Sequence, residues 1–518
     1  MAIATLSSRV TGFIRTWVMA FALGTTVVSS AFQVANSLPT IIYELVAGGL
    51  LSAAFVPLFL LQTERFGKKG GDNYASNLLN IVMVVMGVLT ILLTIFADQL
   101  IATQTFTLES SAEVNGYAVT FFRIFAVQIL FYGLGGVITS ILNASRVYFL
   151  PSFAPLFNNL VVTAAFIAYP IIFATDPHLA LIILAIGTTL GVVVQFAVQI
   201  PALARIGFRY VPRINFKDPA FIETLKIGIP MIIYVIGTLV SFTFRNAFSL
   251  QTGDNGPATL LFAWTWFSLP HGIMAASLSR ALFTEMSHSA TQNDMVGFKH
   301  FLRQGLSGTL LIIIPLAGLM CILSGPLMQI FHAGAFVADD VSYVGTILSL
   351  WVFALPCYSL QLYLFNVFAS IRRFSLFAGI CTALCVVQCS LYALLCSNPV
   401  LGLAGVPIAD IVYYLLSTII LLIVLRRLIG SYGVRASAST AIKVLIATVI
   451  GVVLVGLANY FLPFGPGIIA GAGALVVYGG LGIILILILC KLMRVPELTL
   501  VSDAIQKFVR RLKRTEKR

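Results

Sequence analysis

SRVTGFIRTWVMAFALGTTVVSSAFQVANSLPTIIYELVAGGLLSAAFVP, residues 8–57, reads as two long apolar helices joined by a short turn. Three ionisable side chains, Arg9, Arg15 and Glu44, fall inside or at the ends of those helices. Near the centre of a membrane-spanning helix each such group costs at least about 2.5–3.5 kcal/mol. Their presence marks this hairpin as a site of function. Pro39, in the second helix, removes a backbone hydrogen bond and permits a bend.

The rest of the chain agrees with a membrane reading. Of 518 residues, 59% are hydrophobic and 9% charged, against about 25% charged in a soluble domain. Mean hydropathy is +1.02. The first apolar segment contains two arginines and lacks a small-residue cleavage site, so it is expected to stay as a membrane helix. Net charge is +13. Much of it lies in a C-terminal tail that includes Lys507, Arg510, Arg511, Lys513, Arg514, Lys517 and Arg518. A juxtamembrane basic tail sets orientation and contacts anionic lipids. No aromatic or fold signature of nucleic-acid binding accompanies it, so no nucleic-acid partner is expected.

A spanning helix needs about 20 mostly apolar residues. Fourteen such runs are expected, at 8–27, 31–62, 76–102, 116–142, 152–175, 179–204, 219–250, 257–284, 300–325, 341–370, 374–396, 401–426, 438–462 and 466–490. The fold class is therefore an all-α polytopic membrane protein with 14 transmembrane helices. Spans 31–62 and 219–250 exceed a bilayer's thickness and should tilt, bend or protrude.

The loops sort by charge. One set holds Arg65, Lys68 and Lys69, Arg146, Arg205 to Lys217, Lys299 and Arg303, Arg372 and Arg373, Arg426, Arg427 and Arg435, and the basic tail. The alternate set holds Asp98, Glu109, Glu113, Asp176, Asp254, Asp339 and Asp340, with no Lys or Arg. The positive-inside rule then places both termini in the cytoplasm. The sequon at Asn143-Ala-Ser falls on that side and is accidental.

Ser37-Leu38-Pro39 recurs as Ser268-Leu269-Pro270, each followed by a half helix rich in small residues. This spacing of about six spans points to two six-helix lobes in pseudo-repeat plus two C-terminal helices, a transporter architecture. The expected division is 1–204 and 205–428 for the lobes, 429–493 for the last two helices and 494–518 for the tail. Pro39 and Pro270 are candidate gating residues.

Arginines outnumber acids within the apolar spans. Arg9, Arg15, Arg123, Arg245 and Arg280 face only Glu44 and Asp410. Arg9 and Arg15 are about 240° apart around a helix and do not share a narrow face. Arg9 lies close enough to the interface to snorkel, and Arg123 is read as interfacial. Arg280 has Glu285 five residues on as a possible partner. An arginine excess calls for a water-filled cavity or an anionic ligand, and the guanidinium fork suits phosphate. A diphosphate head on a lipid tail satisfies both the charge and the apolar surroundings. Arg9, Arg15, Arg245 and Arg280 are its candidate ligands.

No paired-carboxylate site, HExxH, Walker A or nucleotide loop is present, so an enzyme is not expected. Without a nucleotide site, energy must come from an ion gradient, the membrane potential or the substrate gradient. Asp410 and Glu44 are the candidate coupling residues, for Na+ or H+, and no other cofactor is expected. A satisfied polar contact between helices is the alternative reading of Asp410. Cys381, Cys385 and Cys389 share one helix face, with no His or carboxylate nearby, and read as packing residues, not metal ligands.

SRVTGFIR (8–15), SLP (37–39), AFVP (54–57), ILNASRVYFLPSFAPLFNN (141–159), PRINFKDP (212–219) and LSGPLMQIFHAGAF (323–336) resemble the MurJ/MviN family, most specifically through residues 141–159. The resemblance runs from near residue 5 to about 370 and more weakly beyond. It implies a bacterial inner-membrane flippase of lipid II, the undecaprenyl-diphosphate-linked peptidoglycan precursor, within the MOP exporter superfamily. It implies alternating access through a cationic cavity and an apolar groove at 429–493 for the lipid tail; a monomer is expected. Arg9 and Arg15 match the family's first-helix arginines. Elsewhere the chain departs from the pattern. The family's second-helix arginine pair becomes Tyr43-Glu44, its acid becomes Gly48, and its eighth-helix Ala-Asp-Arg becomes Ala263-Trp264-Thr265. Near the tenth helix, a family Asp-Thr-Arg-Thr-Pro-like turn becomes Arg372-Arg373-Phe374-Ser375-Leu376. Arg245 and Arg280 match no family position and could restore lost charge. The alternatives are a flippase for another polyprenyl-diphosphate glycan, a MATE-like drug/cation antiporter, or a non-transporting cell-wall scaffold.

Overall fold

The computed structural model describes residues 2–43, 55–107 and 112–498. Glu44, the family-variant Gly48 and the basic tail beyond residue 498 lie outside these. Among the described residues the chain is helical, with no strand. The contacts divide it into two compact units. The first is Met1–Leu261 with Ala333–Val337 and Tyr392–Leu403. The second is Phe262–His332, Ala338–Leu391 and Ala404–Arg518.

In the first unit α1 (Ala2–Leu23) packs on α7 (Phe149–Phe173), and α7 packs on α8 (Pro177–Ala197). Helix α2 (Val27–Tyr43) packs on α5 (Ala112–Phe125), and α3 (Val56–Ile95) packs on α6 (Val127–Ala144). The short α4 (Ala97–Gln104) and α9 (Ile200–Arg205) extend these helices, and α10 (Pro219–Gln251) ends the unit's long segments. Phe32 of α2 is buried and meets Phe121, Phe125 and Phe166 at centroid distances of 5.3–5.6 Å. This aromatic knot fastens α2 to α5 and α7. Gly24, just past α1, has φ +56, and a Cβ there would collide with the carbonyl of Ala335. That close approach lets Ala335 N–H donate to Phe21 O at 2.9 Å.

The 40 residues of α3 are two helices broken at Phe66 and Gly67, where φ at Gly67 is +67. Helix α10, at 33 residues, is about 50 Å long. The PRINFKDP segment between α9 and α10 is strapped onto α3 by side chains. Asn77 Nδ2 donates to Asn215 O at 3.0 Å, and Asn215 N–H returns to Asn77 Oδ1 at 2.6 Å. Asn80 Nδ2 donates to Val211 O and Arg213 O, each at 3.0 Å. An asparagine offers a donor and an acceptor, so it satisfies a loop that has no ladder of its own.

The second unit is built around α13 (Met295–Ile322). Helices α12 (Ala276–Thr291), α16 (Leu355–Ser370) and α19 (Val434–Phe461) pack on it, and α21 (Gly480–Leu492) packs on α19. Small residues set the approach: Gly318 faces Thr448 and Gly451 faces Ile486. Helix α11 (Gly256–Pro270) begins in the first unit and ends in the second. The remaining elements are α14 (Ser324–Gln329), α15 (Ala338–Trp351), α17 (Phe374–Cys396), α18 (Gly405–Ile429) and α20 (Ile468–Ala474). The two Ser-Leu-Pro triplets both fall in helices. Pro39 is buried inside α2, whereas Pro270 ends α11 and a π turn, His271–Ala275, follows. Proline's missing N–H loosens the ladder at that point.

Eleven helices among the described residues are long and apolar enough to cross a membrane. The count of fourteen rests on three further segments. Segment 8–27 is mostly α1 with its two arginines. Segment 31–62 lies partly outside the described residues. Segment 257–284 continues through the π turn after Pro270. Residues Val495 and Glu497 are buried, and Thr440 Oγ1 donates to Glu497 Oε2 at 2.8 Å, so the chain leaving α21 stays packed on α19.

Candidate functional site

Helix α1 presents Arg15 to a cavity of about 50 Å³ inside the first unit. The lining includes Gln33 and Asn36 of α2, Tyr132 of α6, Asn158 of α7 and Thr188 of α8. No acid is among the lining residues, and no carboxylate among the described residues lies within ion-pair distance of Arg15. A second cavity of about 200 Å³ shares Tyr132 and Val192 with the first. It is lined by Thr40, Tyr43, Thr139, Gln195 and Gln199, all neutral, with aromatic walls at Phe131 and Phe196.

The PLFNN motif builds this place. Asn159 Nδ2 donates to Ser8 O and to Thr11 Oγ1, each at 3.1 Å, which locks α7 to α1 below Arg15. One residue earlier, Asn158 Nδ2 donates to Gln195 Oε1 at 3.1 Å, which ties α7 to α8. Asn158 is 8% exposed, and its Oδ1 is buried without a hydrogen-bond partner. Gly191 of α8 lies against that oxygen, and a Cβ there would collide with it. The cavity is thus lined by a cation and by Asn158, whose carbonyl oxygen has no hydrogen-bond partner, among neutral residues. A ligand that brings an anionic group together with hydroxyl or amide donors would satisfy both.

Asp410 lies in the second unit, 1% exposed on α18. Its Oδ2 accepts from Trp351 Nε1 at 2.8 Å and its Oδ1 from Gln388 Nε2 at 2.8 Å. Trp351 is fully buried, with Phe267 stacked on it at 5.6 Å and Trp264 at 5.2 Å. Tyr413 and Ser417 share the helix face of Asp410 and accept from Gln361 Nε2 at 3.4 and 3.3 Å. The carboxylate is thus held by two neutral donors inside an aromatic box.

The other sequence candidates are dispersed. Arg9 is exposed on α1. Arg245 is half-buried with its guanidinium 4.3 Å over the Phe242 ring one turn back, and it does not line either cavity of the first unit. Arg280 is exposed on α12 and forms no ion pair with Glu285. Five residues along a helix is about 140° of rotation, so the two side chains point apart. Arg123 pairs with Asp98 at 2.7 Å in an exposed ion pair. Cys381, Cys385 and Cys389 are buried along α17, with Cys385 and Cys389 sulfurs 3.9 Å apart.

The residues that sequence reasoning missed are neutral: Tyr132, Asn158, Gln33 and Asn36 beside Arg15, and Trp351 and Gln388 beside Asp410. A search restricted to ionisable groups passes over them. The signal that could have found them is the amide side chain within an apolar run, as in LFNN and CVVQC.

A family model described as lipid II flippase MurJ matches residues 19–473. The probable lipid II flippase MurJ of Buchnera aphidicola subsp. Schizaphis graminum is 27% identical over 372 residues, 72% of each chain. That of Rhizobium meliloti is 27% identical over 420 residues, 79% of this chain and 76% of the relative. Among solved structures, a lipid II flippase MurJ in an inward closed conformation matches with TM-score 0.77 at 22% identity, covering 95% of this chain and 98% of the other. An inward-facing MATE multidrug transporter of the MOP superfamily matches with TM-score 0.68 at 15% identity, covering 83% and 99%. At these identities the two structures speak for the fold alone.

Proposed function

We propose that the chain, which belongs to the lipid II flippase MurJ family, moves lipid II from the cytoplasmic to the outer leaflet of the bacterial plasma membrane by alternating access. The observation that carries this reading is Arg15. It is a cation with no counter-acid among the described residues, held in a neutral polar cavity of an apolar helical bundle. A half-buried charge of that kind is stabilised when a ligand supplies the missing sign. In this reading Arg15 binds the diphosphate, Asn158 Oδ1 accepts from the sugar or its amide, and the larger neutral cavity takes more of the head group. Arg9, Arg245 and Arg280 act through their long-range field and not by contact. The last two helices carry the lipid tail, Pro39 and Pro270 supply the bends, and one copy of the chain suffices.

Asp410 serves coupling. Two neutral N–H donors, from Trp351 and Gln388, hold its carboxyl group, and in this reading a proton or a sodium ion binds there and is released as the surrounding aromatic box rearranges. The termini lie in the cytoplasm. Support comes from the pocket formed by Thr291, Arg372 and Leu428, which gathers three loops that the charge pattern independently assigns to one face. The drug/cation antiporter is disfavoured because such a cavity needs acids, and none lines this one.

The test is rescue of cells depleted of their own lipid II flippase. The wild-type gene should restore growth and Arg15→Ala should not, at equal membrane levels. Failure of the wild-type gene would leave a different polyprenyl-diphosphate glycan or a scaffold role as the reading.

A further inference from the structure

A second basic pocket lies far along the chain from Arg15, within the second unit. It has a volume of about 460 Å³ and is bounded by the end of α12, the turn between α16 and α17, and the end of α18. Arg372 and Arg373 supply its charge, and Met295, Ile371, Leu428 and Ile429 supply an apolar wall. None of its lining residues is acidic. The nearby Asp294 carboxylate is engaged in capping α13, accepting from Gly297 N–H at 2.9 Å. Neither arginine has an ion pair among the described residues, and both are exposed.

The local backbone holds this arrangement at a cost. Arg372 N–H donates to Ala369 O at 3.0 Å and Arg373 N–H to Phe368 O at 2.9 Å, which closes a tight turn after α16. The turn puts Arg372 at φ +57, a left-handed conformation that glycine or asparagine adopts more cheaply. An arginine at that position supplies charge where the backbone would favour a residue without it.

We propose that this pocket is a binding site for an anionic phospholipid. The two guanidinium groups hold its phosphate diester, and an acyl chain runs along the apolar wall. A free phosphate would use the arginines alone. An amphiphile uses both halves of the pocket, and the loops that form it belong to the basic, membrane-proximal set. The site is separate from the basic tail and from Arg15. Its leaflet rests on the orientation proposed above, whereas binding itself does not, so failure of one is distinguishable from failure of the other.

The experiment is native mass spectrometry of the purified full-length protein titrated with phosphatidylglycerol. The wild type is compared with Arg372→Gln/Arg373→Gln and with a control of equal charge loss, Arg65→Gln/Lys69→Gln. Lipids on the tail are common to all three. The pocket variant should lose one tight phosphatidylglycerol adduct, with affinity down about 30-fold. The control should keep it, inorganic phosphate should not displace it, and thermal unfolding should be unchanged in both variants. Equal adduct counts in the wild type and the pocket variant would overturn the proposal, and so would equal losses in both variants. Displacement by millimolar inorganic phosphate would reassign the pocket to a free anion.

Discussion

Replacing Trp351 by Phe removes one donor from Asp410 and leaves an aromatic ring in the box. The indole Nε1 lies 2.8 Å from Oδ2, and the carboxylate is 1% exposed. A hydrogen bond to a charged acceptor contributes about 1.5–3 kcal/mol, against about 0.5–1.5 kcal/mol for a neutral one. Loss of the larger ring adds about 1 kcal/mol of cavity cost because Trp351 is fully buried. The single change should therefore destabilise the second unit by about 2.5–4 kcal/mol. Asp410→Asn can keep its oxygen on the indole and present its N–H2 to Gln388, whose amide turns its oxygen to accept, so charge-assisted bonds become neutral ones at a cost of about 1–2 kcal/mol. The two changes share a bond, so their effects should not add. A double-mutant cycle by denaturant unfolding in mixed micelles should give a coupling of about 1–2 kcal/mol. A coupling below about 0.5 kcal/mol would refute the reasoning, because it would mean that the carboxylate is not held as a charge by the indole.

Gly191→Ala puts a methyl into Asn158 Oδ1 and 2.8 Å from Val162 Cγ2. It should cost about 1–3 kcal/mol of thermal stability and lower flipping more than a matched change at Gly87, where a Cβ meets nothing within 4 Å. Asn77→Ala cuts both bonds to Asn215 and should lower stability by about 1–3 kcal/mol, with faster hydrogen exchange at residues 211–217 as the readout. Arg123→Ala should change stability and activity little, by less than about 1 kcal/mol, because its partner Asp98 is exposed. Arg245→Ala and Arg280→Ala should each keep most of the flipping activity in vesicles, since neither side chain lines the cavity that holds Arg15.

The helical membrane fold was legible because burial in lipid imposes long apolar runs, and because the same runs cannot tolerate unexplained charge. Arg15 stood out for that reason, and in the fold it lines a cavity of the first unit. Arg280 carried the same formal signal, yet the structure leaves it exposed. A charge in an apolar string does not reveal which side of the helix it occupies when the flanking residues are apolar all round. Arg245 illustrates a second ambiguity, since the ring of Phe242 three residues back partners it from within its own helix. The roles of Asn158 and Trp351 were not legible for a different reason, although the amide in LFNN marked Asn158 as a polar group in an apolar run. Their importance comes from what faces them across helices, Gln195 and Asp410, and that pairing is a tertiary fact that no local pattern encodes. The change from a family Asp-Arg to Trp264-Thr265 was read as lost charge. In the fold Trp264 packs on the tryptophan that holds Asp410, so the exchange also alters the support of the candidate coupling residue.

The measurement that bears most directly on the central claim is lipid II flipping by the purified protein in vesicles, comparing Arg15→Ala and Arg15→Lys with the wild type. The account predicts that alanine abolishes flipping and weakens binding of an undecaprenyl diphosphate probe. Lysine, which keeps the charge but loses the bidentate fork, should retain a small fraction of both. Wild-type flipping and binding by Arg15→Ala would contradict it.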